Sequence, residues 1–136
     1  MINLDVKSEF SFKQAFGFID RIVESIDEEY VGIADFNVTF GHTALESACK
    51  KHGKKPIYGV RIKVYPKEKC RTGACDYVFI AKNNAGLHEL YDLVSLAWKN
   101  FYYAPQVSAA EIEHISDNVY VICDGLELYD RADYIG

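Results

Sequence analysis

Two hydrophobic periods alternate along the chain. Ile2–Val6 alternates apolar and polar positions and predicts a short strand, with Asn3, Asp5 and Lys7 on one side of it. From Phe12 to Ile26 apolar residues recur at Phe12, Ala15, Phe16, Ile19, Ile22, Val23 and Ile26, the spacing of an amphipathic helix. The run YVGIADF (Tyr30–Phe36) has the length and continuity of a buried parallel strand. Ala44, Leu45, Ala48 and Cys49 form a second helical face, closed by Gly53 as a left-handed cap. Lys55–Tyr65 returns to strand alternation, and Pro66–Ala74 is a hairpin-like excursion. Tyr77–Lys82 predicts a strand, Leu87–Trp98 a helix, and Val119–Cys123 the last strand. Ser108 and Glu111 make a capping-box pattern for a short helix through His114. Strands alternating with helices predict an α/β fold with mainly parallel strands, as an open sheet or a partial barrel.

Composition narrows the class. With 136 residues, 49% apolar and 26% charged, the chain predicts a single domain over 1–136. The tail, residues 126–136, reaches no clear structural stop, which suggests the N-terminal part of a longer chain. No apolar window spans a bilayer and no export signal precedes the first strand, so a cytoplasmic protein without membrane contact is expected. Twenty acidic against fifteen basic residues predict little direct nucleic-acid binding. The basic run KKHGKK fits a helix C-terminus. Of the four cysteines, Cys70 and Cys75 could form half a zinc site, but no second pair completes it, so free thiols are expected.

The order of segments resembles the PHP (polymerase and histidinol phosphatase) domain of bacterial and phage DNA polymerase III α subunits. The resemblance rests on GKKPIYGVRIKVY (Gly53–Tyr65), AKNNAGLHELYDLVSLAW (Ala81–Trp98) and FYYAP (Phe101–Pro105). Weaker echoes are NLDVKSEFS at the start and IADFNVTFG (Ile33–Gly41). It implies a PHP-like distorted (β/α) barrel, here partial. In active members His, Asp, Glu and Cys at strand ends hold divalent metals that activate water against a phosphate ester. Other members have lost that site and serve as scaffold and docking surface.

Carried onto this chain, the ligand positions are depleted. The opening histidines fall on Asn3, Asp5 and Lys7, and a following acid falls near Gln14. The second motif keeps Asp35 but has Phe36 where a histidine is expected, and the Gly-Val-Glu of the third is Gly59-Val60-Arg61. A histidine before the fourth strand falls near Asp76, and a cysteine near the fifth strand's end falls beside Asp124. Lys7 and Arg61 would repel a divalent cation, so the resemblance implies a degenerate pocket with no catalytic residue, metal or cofactor. Lys7 and Arg61 are expected instead to pair with Asp5, Asp35 and Asp76. The four histidines, His42 among them, are expected at the surface.

The leading expectation is a non-catalytic module in DNA replication. Its partners would be the remainder of a DNA-directed DNA polymerase (a nucleotidyltransferase) and a proofreading exonuclease subunit. Trp98, Phe101, Tyr102 and Tyr103 are the candidate contact residues, as aromatics favour interfaces. One alternative is a metal-dependent phosphoesterase or 3′→5′ exonuclease using carboxylates with Mg, Mn or Zn. Another is a stand-alone decoy or interaction protein derived from such a domain.

Overall fold

A computed structural model of the chain describes residues 3–124 and 134–135. Its elements run α1 (Ile19–Ser25), β1 (Tyr30–Phe36), α2 (Gly41–His52), β2 (Lys55–Tyr65) and β3 (Cys75–Ala81). They continue with α3 (Asn84–Lys99), β4 (Val107–Ser108), α4 (Ala109–Ile112), β5 (Val119–Asp124) and β6 (Tyr134–Ile135). The sheet order is β1-β2-β3-β5-β6, with β4 added to β2. No described strand joins β1 to β6, so the sheet stays open and the barrel is incomplete.

The α/β class stands, and the strand directions are mixed. β1 runs parallel to β2, because the intervening α2 supplies the crossover that parallel strands need. β2 and β3 are antiparallel, as are β3 and β5. The excursion at 66–74 is too short for a crossover and can only reverse the chain.

One face of the sheet carries the main core. Val60, Ile62, Tyr77, Phe79 and Val121 pack there under Leu90, Leu93 and Ala97 of α3. Beside them, Ile19 and Val23 of α1 and Leu45, Ala48 and Cys49 of α2 close over Val31 and Ile33 of β1. Gly53 ends α2 at φ 68 and donates to Cys49 O, the expected left-handed cap. The Ser108–Glu111 capping box is also present. The opposite face is thinner: Ala34, Val78 and Ile80 pack there with Leu4, Ile57 and Ile122.

Two predicted elements differ near the start. Residues 3–6 are not a regular strand, although Ala34 N donates to Val6 O at 2.7 Å beside β1. Asp5 N turns instead to Asn3 Oδ1 at 3.0 Å, a local side-chain bond that competes with ladder pairing. The helix predicted from Phe12 begins only at Ile19. Ser8 and Ser11 are pulled inward by Asp35, Lys13 sits at φ 63, and Phe12 and Phe16 stand in solvent.

Candidate functional site

Strand register decides which of the expected pocket residues meet. Asp35 stands beside Val60 and Phe36 beside Arg61. Alternation then places Asp35 and Arg61 on opposite faces of the sheet. Arg61 stands opposite Val78 and Lys63 opposite Asp76, so Arg61, Lys63 and Asp76 share the thinner face.

On that face Arg61 is the hub. Its guanidinium is nearly buried and donates from Nε to Asp5 Oδ1 at 3.1 Å, from Nη2 to Asp5 Oδ2, and from Nη1 to Asp76 Oδ2 at 3.4 Å. Lys63 Nζ lies 3.1 Å from Asp76 Oδ1, close enough for an ion pair though not aligned as a hydrogen bond. The same ammonium stands 5.7 Å from the centre of the Phe36 ring. Two cations and two carboxylates thus neutralise each other in the pocket expected to be degenerate.

Asp35 does different work on the helix-covered face. It is 2% exposed and accepts three bonds: from Ser8 N at 2.6 Å, from Ser8 Oγ at 2.6 Å and from Ser11 Oγ at 2.7 Å. Ser11 Oγ in turn accepts from Phe36 N at 3.0 Å. The carboxylate therefore fastens the loop before α1 to the end of β1. A side chain at Gly41 would lie 2.9 Å from Asp35 Oδ2, so the α2 start must be glycine for this approach.

Three expectations are corrected here. Asp35 does not join Arg61, since register separates them. Lys7 has no hydrogen bond or ion pair among the described residues, and exposed Gln14 only donates from its backbone N to Ser11 O at 2.9 Å, away from the Arg61 cluster. His42 is not a surface residue: it is 5% exposed, with Nε2 2.9 Å from Gly59 O and Tyr58 and Tyr91 rings against it. Burial holds its pKa below the ordinary histidine value, against the Gly59 hydrogen bond and the Asp35 charge. Only the apolar neighbours of position 42 in a helix could have signalled this. Asp124 pairs through its backbone with Asp76, and its side chain lies outside the described residues, as does the tail 125–133.

These donors do not fit a divalent cation. Asp5 and Asp76 are neutralised by a guanidinium, Asp35 is saturated by serines on the other face, and Phe36 offers no lone pair. Among the described residues, no three His, Cys, Asp or Glu side chains converge as a metal site requires. Cys49, Cys70, Cys75 and Cys123 form no disulfide among the described residues.

The expected contact aromatics gather at one end. Trp98 donates from Nε1 to Asn37 O at 2.8 Å, and its ring stacks on Phe101 at 6.1 Å. Tyr102 and Tyr103 meet edge to face at 4.8 Å. No helix among the described residues is long and apolar enough to cross a membrane.

Comparison with known proteins agrees with the resemblance. The family described as PHP domain matches residues 3–135. DNA polymerase III subunit alpha of Borreliella burgdorferi is 26% identical over 129 residues, covering 87% of this chain and 11% of that protein. The subunit of Aquifex aeolicus is 28% identical over 134 residues, covering 87% and 12%. That of Staphylococcus aureus strain Mu50 is 32% identical over 102 residues, covering 75% and 9%. The chain spans about a tenth of the length of these relatives.

Proposed function

The chain belongs to the PHP domain family, and on that premise we propose that it is a member without hydrolytic chemistry, serving DNA replication as a structural module. The relatives are polymerase subunits many times its length, so nucleotidyl transfer would fall to other parts of such an assembly. The module's work is to support that polymerase and to offer a docking surface, with a proofreading exonuclease as the expected partner.

One observation carries this reading. Arg61 occupies the position where the family motif sets a carboxylate, and it binds Asp5 and Asp76. A guanidinium carries its charge at every accessible pH and has no lone pair for a metal. The pocket therefore keeps the frame of a phosphoesterase site and replaces metal bridging with ion pairing.

Calorimetric titration with Mn²⁺ and with Zn²⁺, beside an assay of phosphodiester hydrolysis, tests it. No specific binding and no hydrolysis are expected. Tight stoichiometric binding that Asp5→Asn or Asp76→Asn abolishes, together with metal-dependent hydrolysis, would establish the phosphoesterase reading instead.

A further inference from the structure

Four segments meet at the end of the sheet where β1 and β2 finish: residues 7–18, 37–40, 66–74 and 99–106. Their contacts tie them into one surface. The Phe10 and Phe40 rings lie 6.5 Å apart, and Trp98 donates to Asn37 O at 2.8 Å. Gln106 Nε2 donates to Cys70 O at 2.9 Å, and the Arg71 guanidinium lies 3.7 Å from the Tyr103 ring centre.

Charge is divided unevenly between these segments and the rest of the sequence. The four segments hold six Lys and Arg against two Glu, while the remainder holds nine against eighteen. One of the two acids, Glu9, is occupied at the start of α1, where Oε2 accepts from Ile19 N at 3.1 Å. In a chain of net charge −5 these segments are locally basic.

The apolar surface there is aromatic. The segments carry eight Phe and Tyr residues but one branched aliphatic, Val38. Phe40 is 72% exposed, Trp98 49%, Phe101 56% and Tyr103 66%. Among the described residues, the non-glycine positions with positive φ are Lys13, Asn37, Lys69 and Tyr103, one in each segment. Such strain is kept where the surrounding structure imposes it, and it gathers at binding surfaces. Rings set among cations suit stacked bases and their phosphates.

We propose that this end binds single-stranded nucleic acid. Bases stack on the Trp98–Phe101 pair and on Tyr103, and phosphates meet Lys69, Lys99 and Arg71. Lys69 and Lys99 border one small cleft with Phe101, which brings charge and ring together. Glu68 and Glu111 also border it; the Glu111 carboxylate is engaged by Ser108 and Asn100. No metal takes part, so this binding stands apart from the fate of the Arg61 pocket.

Trp98 is the only tryptophan and reports directly. Titration with a 15-residue oligothymidylate at low salt is expected to quench its emission, with affinity falling as salt rises. Phe101→Ala, at an exposed position, should weaken binding roughly tenfold. Lys69→Ala with Lys99→Ala should flatten the salt dependence, and circular dichroism checks that each variant folds. Should Phe101→Ala not fold, Tyr103→Ala carries the same expectation. Absence of quenching, or equal affinity for a duplex of that length, would overturn the proposal. Equal binding of polyglutamate would overturn it too, marking the surface as a dock for an acidic peptide.

Discussion

Arg61 donates to Asp5 at 3.1 Å across 56 positions of chain, joining the second strand to the segment that precedes the first. Arg61 is 7% exposed in its side chain, Asp5 40% and Asp76 29%. Breaking a fully buried pair costs about 3–5 kcal/mol. Solvent around the two acids lowers that, so Arg61→Met is expected to cost about 1–3 kcal/mol. Urea denaturation measures it. A variant as stable as the parent would show that the pairing does not hold the N-terminal segment.

Asp35→Asn tests the serine latch. The amide loses the charge behind three short hydrogen bonds and turns a donor toward hydroxyls that must donate. The expected loss is about 2–3 kcal/mol. Limited proteolysis should also cut residues 8–18 faster, because their tether to β1 is weakened. An unchanged cleavage rate would place the loop's order elsewhere.

His42 predicts acid sensitivity. Its folded pKa lies below the unfolded value because burial disfavours the charged ring. The unfolded chain therefore binds more protons as pH falls, and stability drops with it. The contribution is complete above about pH 6.5 and is lost as pH falls through the folded pKa, at up to about 1.4 kcal/mol per unit. His42→Gln, whose amide can still donate to Gly59 O, should flatten that part of the curve. Denaturant midpoints between pH 7.5 and 5 compare the two.

Gly86→Ala sets helix propensity against packing. In an open helix the change would gain about 1 kcal/mol. Here the added carbon would lie 2.2 Å from Asn118 O, a backbone atom that cannot swing aside. The contact wins, and a loss of about 1–3 kcal/mol is expected from thermal or urea unfolding.

The sheet and its two large helices were legible because long segments there obey one period throughout. Tyr30–Phe36 and Lys55–Tyr65 appear with the predicted bounds, and the Gly53 cap appears with its predicted handedness. Strand direction was less accessible, since a buried strand reads alike whichever way its neighbour runs. The start of the chain misled for a different reason. Phe12, Phe16 and Ile19 keep helical spacing, but Ser8 and Ser11 answer to Asp35, 27 and 24 positions away. In the pocket, residue identity revealed the intruding Arg61, while only register could show that Asp35 faces the other side.

The uneven division of charge governs approach as well as contact. Beyond a Debye length of about 8 Å a polyanion senses little of either end. Nearer than that, acidic stretches turn it away and the three Lys- and Arg-bearing segments draw it in. Such a molecule has a front and a back before anything touches it. An arriving strand would be steered to the loops, and the helix-covered flanks would be left free for protein neighbours.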